Sequence, residues 1–396
     1  MDCDGYHDSL CQSTLFAPAP KIYHRSMSPL LESPLCSSAV KTGAHPAADP
    51  KAFASRSRPL QVTWEMTQAC GWKASPPRAR LPKEKTRFST AEAFHLIEEV
   101  ASMQVPLLAL TGGDPLQRPD LLPIIDFASK HSVRTSLTLL PTQRLDHDVI
   151  SDLKSCGLMR IAFWLHGSTP GLNDSHWKIP GLYRRTLETI GICHEVQLPV
   201  QINTIVSRRN LHDIDSMIEL LTRLDAMLWN VFFYVPPSRE EAAEMPDADQ
   251  HEQIFAKLYA ASRVVNFQIK TTEGQHYQRY LMQQRVKESH GRLTETSAIP
   301  HAPRGVNEGK GVVFINSSGE AYPSRFLPLS GGNVTSQSLG DVYRDSQLFA
   351  SLRDTSKLKG KCGRCPVRNV CGGSRARAYV MTGDLFAADP CCAFEP

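Results

Sequence analysis

A chain of 396 residues, 41% hydrophobic and 21% charged, has the composition of a folded protein with a sizeable core, and its length suits two or three ordinary domains or one large α/β domain with an appendage. Its net charge of +4, from 44 basic and 40 acidic residues, is too balanced for nucleic acid or an anionic membrane as a general partner. No apolar run approaches the roughly 18 residues of a spanning helix, and the N-terminal MDCDGYHDSLCQSTLF lacks the order of a secretion signal.

Residues 1–58 carry six prolines and no periodicity, and read as a leader without a core, their basic, Ser-rich part faintly like a transit peptide. From Pro59 the pattern changes. LQVTWEMT (60–67) reads as a strand, and STAEAFHLIEEVASM (89–103) as a helix opened by the Ser89/Glu92 capping box, with Ala93, Leu96, Ile97 and Val100 on one face. Strand-like LLAL (107–110), VRTSLTLL (133–140), RIAFWL (160–165), VQINTIV (200–206) and LWNVFFYV (228–235) then alternate with helices from Pro119, from Asp146, near 181–195, over 211–224 and near 248–262. VVNFQIK (264–270) reads as an added edge strand.

Six βα units with near-continuous apolar strands predict a parallel sheet covered by helices, a partial (β/α)6 TIM-like barrel or an open doubly wound sheet over 59–288. Either architecture puts ligands at the C-terminal ends of the strands. From residue 289 the alternation stops. A hairpin over 311–324, turning at Gly319, and a helix over 338–354 lead into a small Cys-rich C-terminal module.

The eleven cysteines, without a secretion signal, fit metal-binding thiols in a reducing cytoplasm better than a disulfide scaffold. Five crowd the last 35 residues. Cys362 and Cys365, two residues apart across a Gly363-Arg364 turn, can point at one centre; Cys371 before Gly372-Gly373 and Cys392 from the chain end complete a four-sulfur shell. Cys391 would point away. Spacing alone leaves zinc and an iron–sulfur cluster equally open. Eight basic residues and one acid from Arg353 to Arg377 would stabilise a negatively charged centre.

Thr111-Gly112-Gly113-Asp114-Pro115 follows a strand, where two glycines allow positive φ and close approach of a ligand to the backbone. With the strand LQVTWEMTQAC-GWK and the tail GKCGRCPVRNVCGGSRARAYVMTGD…DPCC, this turn resembles the radical S-adenosylmethionine (SAM) superfamily with a C-terminal SPASM-type auxiliary module. The resemblance covers Pro59 to the C-terminus. It implies a SAM-dependent radical enzyme acting on a peptide or tetrapyrrole-like substrate, with an electron donor such as ferredoxin or flavodoxin. By the same resemblance Gly112, Gly113, Asp114, Pro115, Thr138 and Asn203 would contact SAM, and Cys362, Cys365, Cys371 and Cys392 would hold an auxiliary 4Fe–4S cluster.

The superfamily's first loop, Cys-x3-Cys-x2-Cys, binds the primary 4Fe–4S cluster. Here Cys70 holds the first position, and Ala74 and Pro77 hold the other two. Neither has a ligand atom. Three readings follow: a pseudoenzyme that keeps the auxiliary cluster, a local sequence lesion, or ligands supplied by Cys3, Cys11 or Cys36. His166, at a strand end, reads as structural.

Overall fold

The computed structural model describes residues 58–68, 88–142, 144–288 and 306–396. Gln61–Glu65 forms β1, and Thr90–Ser102 forms α1. Ser89 and Glu92 make the reciprocal cap: Glu92 N–H donates to Ser89 Oγ, and Ser89 N–H donates to the Glu92 carboxylate at 2.7 Å. Ala93, Leu96, Ile97 and Val100 are buried, the face that helical periodicity selects.

The alternation continues with β2 (Leu108–Thr111), α2 (Leu121–Lys130), β3 (Thr135–Leu139), α3 (His147–Ser155), β4 (Arg160–Trp164), α4 (Pro170–Trp177), α5 (Leu182–Glu195), β5 (Val200–Val206), α6 (Ile214–Arg223), β6 (Leu228–Phe233), α7 (Ala248–Ser262), β7 (Gln268–Thr272) and α8 (His276–Glu288). Strands β1 to β7 pair in chain order, every neighbour parallel. β2 and β5 are buried along their whole length, as a sheet covered on both faces requires. Val62, Trp64, Leu137, Phe163, Ile202, Trp229 and Phe233 lie at the centre of the core.

This is the expected TIM-like partial barrel, with differences at its margins. The edge strand is a seventh parallel strand and starts later than VVNFQIK suggests, because Val264 lies in the turn before it, 83% exposed. α4 and α8 have no counterpart in the sequence reading. α4 is short, with Asn173 and Trp177 as its buried residues, so no apolar stripe announces it.

The C-terminal segment adds β8 (Asn307–Glu308), β9 (Gly311–Ile315), β10 (Glu320–Tyr322) and β11 (Gly332–Asn333) to the same sheet. β9 runs parallel to β1, and β10 turns back on it as the expected hairpin. In its turn Asn316 Oδ1 accepts from the Ser318 and Glu320 amides. Helices α9 (Leu339–Asp345), α10 (Gln347–Arg353), α11 (Gly360–Arg364) and α12 (Arg375–Thr382) follow. The single helix expected over 338–354 is two, broken at Ser346, whose ψ of 129° leaves the helical region. No helix among the described residues is long and apolar enough to cross a membrane.

Arg118 joins the pieces around the end of β1. Its guanidinium donates to Met66 O at 3.3 Å and Phe88 O at 3.0 Å, pairs with Asp120 at 2.7 Å, and lies over the Trp64 ring. Arg118→Met would orphan two carbonyls and leave the Asp120 carboxylate with the Thr90 hydroxyl but without its cation, costing about 2–3 kcal/mol. Urea denaturation should show that loss, and an unchanged midpoint would remove Arg118 from this role.

Candidate functional site

A cavity of about 740 Å³ occupies the barrel between the sheet and the C-terminal segment. Inward residues of successive strands line it, among them Thr63, Ser136, Thr138, Asn203 and Asn230, with Phe314 and Arg325 from the C-terminal strands and the loop after them. Its volume lies in the range of small-molecule sites, which run to roughly 1,000 Å³.

Its lining holds five cations, Arg160, Arg263, Lys270, Arg285 and Arg325, of which Arg160 and Lys270 lie on barrel strands. Arg160 opens β4, and its Nε finds no hydrogen-bond partner. Lys270, inside β7, donates to Gln61 Oε1 at 3.1 Å. Burial pushes Lys270 down to about 8, and the charge of Arg160 adds to the shift. No acid among the described residues forms an ion pair with either side chain. Both therefore remain available to an anion.

Thr138 and Asn203 line the cavity, and Gln201 Nε2 donates to Asn203 Oδ1 at 2.7 Å. The Gly112–Pro115 turn sits just beyond its Thr111 lining. Gly112 has φ +155°, and a Cβ there would lie 2.6 Å from Thr67 O. Gly113 N–H donates to Thr67 O at 2.8 Å, so the turn is fastened to the strand that leads into Cys70. Asp114 caps the following turn through Leu116 N–H, which engages its carboxylate inside the protein. Cys70, Ala74, Pro77 and the leader cysteines Cys3, Cys11 and Cys36 lie outside the described residues.

Cys362, Cys365, Cys371 and Cys392 line one small pocket with His276, Arg279, Lys361 and Arg368. The Gly363-Arg364 turn is the last turn of α11, with Cys365 as its C-cap. Gly372 and Gly373 both adopt positive φ, and Gly373 N–H points at Cys371 Sγ, 3.4 Å away. Asp389 N–H lies 3.5 Å from Cys362 Sγ and Arg375 Nη2 lies 3.9 Å from it. Burial raises the thiols of Cys362, Cys371 and Cys392; these donors and cations act in the opposite direction. His276 is fully buried with neither ring nitrogen hydrogen-bonded. Cys391 is turned away and donates to Pro246 O. No group of three or more His, Cys, Asp or Glu among the described residues converges as a single ion requires.

A fully buried ion pair braces this pocket. Arg377 binds Asp389 through Nε at 2.9 Å and Nη2 at 3.0 Å, and Nη2 also donates to Glu273 O. Asp389 accepts from the Ser374 and Cys391 amides.

The sequence matches the radical SAM superfamily over residues 70–221. It is 34% identical to a Methanosarcina barkeri protein named AdoMet-dependent heme synthase, over 87% of this chain and 99% of that one. The chain belongs to the radical SAM superfamily. It is 27% identical to a Rhodopseudomonas palustris PqqA peptide cyclase, over 85% of this chain and 88% of the relative. The structure of Streptococcus suis SuiB bound to S-adenosylmethionine matches with TM-score 0.66, 14% identity, and 85% and 78% of the two chains covered. That likeness establishes the fold.

His166 plays no part in the cavity of this superfamily member: its Nδ1 accepts from Ile205 N–H and its ring packs between Trp164 and Trp177. Sequence reasoning missed Arg160, Lys270, Glu273, Glu308 and the Arg377–Asp389 pair. The first two left a signal, as lone charges in strands of an otherwise covered sheet. Arg377→Met would strand Asp389 as a buried anion beside Cys362, and breaking such a pair costs about 3–5 kcal/mol. Chemical denaturation of the variant should show that loss; an unchanged midpoint would mean the pair does not brace the module.

Proposed function

We propose that this chain is built to bind SAM and a carboxylate-bearing tetrapyrrole in the barrel cavity, beside a 4Fe–4S cluster held by Cys362, Cys365, Cys371 and Cys392, and that as written it does not cleave SAM. The observation that carries the substrate reading is the unpaired Arg160 and Lys270 inside a cavity large enough for a macrocycle. A planar, largely apolar ring with anionic arms matches that lining, and relatives named heme synthases at 30–34% identity favour it over the peptide of the cyclases at 27–28%.

Four thiolates sharing one pocket suit zinc or an iron–sulfur cluster alike, and membership of the radical SAM superfamily favours the cluster. Arg279 and Lys361 in the lining and Arg375 beside Cys362 offer charge to a negatively charged centre, and His276 offers a ring nitrogen. Thr138, Asn203 and the backbone of Gly112 and Gly113 would hold SAM, which, when bound and reduced, supplies hydrogen-atom abstraction. Asp114 and Pro115 shape that turn. The primary cluster does not fit this sequence, because Cys70 stands alone where three thiolates are needed. We place this protein in the cytoplasm, where a ferredoxin or flavodoxin would supply electrons once its loop is intact.

Anaerobically purified parent should be brown with iron for one cluster and release no 5′-deoxyadenosine from SAM under reduction. Ala74→Cys with Pro77→Cys should gain a second cluster and release it. Colourless, zinc-bearing protein overturns the cluster assignment, and SAM cleavage by the parent overturns the broken-site reading. Coproporphyrin III should bind the parent, with Lys270→Met weakening it about tenfold or more, the worth of a charge-assisted bond. Lysine is charged below its value of about 8, so affinity should hold there and fall as pH rises above it. Absorbance titration from pH 6 to 10 measures this; no binding at any pH removes the tetrapyrrole reading.

A further inference from the structure

A second group of ionisable side chains lies in the cavity wall, where the barrel meets the C-terminal segment. Glu273 follows β7 directly, and Glu308 ends β8; both line the cavity and both are almost completely buried. Glu273 is held at φ +55°, a left-handed conformation costly for a residue with a Cβ and typical of functional positions. No turn-forming glycine replaces it, although Gly274 is adjacent.

The hydrogen bonds around the pair can be counted. Ser374 Oγ lies 2.5 Å from Glu273 Oε2 and 3.3 Å from Glu308 Oε1. One hydroxyl has one proton, and it cannot donate to two carboxylates at once. Elsewhere Glu273 Oε1 accepts from Ser324 Oγ, while Glu308 accepts from Ala376 N–H and Gln275 Nε2. Charge leads to the same result. The cation facing the pair is Arg377, which donates to the Glu273 backbone carbonyl and is already matched by Asp389. Neither glutamate forms an ion pair among the described residues. Two bare carboxylates here would be an uncompensated buried double charge, which proteins relieve by protonation.

We propose that Glu273 and Glu308 form a single-proton acid site in the cavity wall, two carboxyl groups sharing one hydrogen that a bound ligand can take up or return. Burial and the neighbouring Glu308 charge both push Glu273 well above the ordinary carboxylate range, in accord with this. The transfer moves no electrons: an O–H bond on the pair breaks, and an O–H or N–H bond forms on a basic oxygen or nitrogen of the ligand. The pair is left with two negative charges and regains its proton when the ligand leaves. Glu273 lies three residues beyond Lys270 along the chain. The cavity thus combines a cation that attracts an anionic ligand with an acid that can neutralise it.

Infrared difference spectra of the ligand-free full chain, parent minus Glu273→Gln and parent minus Glu308→Gln, test this directly. At pH 8 each difference should carry one protonated-carboxyl band that shifts in D2O, because either amide can donate in place of the shared proton. If neither difference shows the band, the proposal fails. Stability against pH gives a second reading. Unfolded glutamate releases its proton near pH 4.5, whereas the folded pair retains one. Above that pH the parent's folding constant should fall by about tenfold per unit relative to Glu273→Gln; parallel profiles would also overturn it. If Glu273→Gln does not fold, Glu308→Gln carries both measurements. A band present without coproporphyrin III binding sustains the acid site and counts against the tetrapyrrole reading alone.

Discussion

The Arg377–Asp389 ion pair is the interaction on which the C-terminal half of the molecule depends. Both partners are completely removed from water, so each is tolerable only because the other is there. Asp389 presents its own amide to Cys362 Sγ and takes the amides of Ser374 and Cys391, while Arg377 reaches back to the carbonyl of Glu273 at the end of β7. One contact thus fixes the cysteine pocket, the turn after Cys371 and the rim of the barrel relative to one another. Removing either charge would loosen all three.

The same arrangement explains why the cavity and the cysteine pocket lie side by side. Asn307, in the cavity wall, donates to the carbonyls of Cys371 and Gly373, and the Ser374 hydroxyl, three residues after Cys371, lies within reach of both Glu273 and Glu308. Parallel pairing of β9 with β1 carries the C-terminal segment across the open side of the barrel, so its residues close the cavity. Position in the sheet, rather than any single loop, brings the two sites together.

The barrel was legible because central strands such as β2 and β5 are buried along their whole length and read as apolar runs, and because α1 announces itself through Ser89, Glu92 and a clean apolar face. The cysteine cluster was legible through its spacing. The cavity's cations were harder to read, since a lone Arg160 before IAFWL resembles an ordinary strand end until the fold shows no acid beside it. Glu273 and Glu308 stand 35 positions apart, and nothing local couples them; only the pairing of β8 with β9 and the return of Ser374 bring them together. Asp389 looked like one more acid near the chain end. Its meaning depends on Arg377, twelve residues earlier and fully buried.

Arg118 ties Met66 to Phe88, the two residues on either side of the stretch that contains Cys70, Ala74 and Pro77. The ends of that stretch are held by the barrel itself, through a side chain that follows the Gly-Gly-Asp-Pro turn, and not by the metal chemistry the stretch would carry. The groups that anchor the stretch and the positions that would supply its ligands are therefore separate sets of residues, and a change at position 74 or 77 removes none of the anchoring groups.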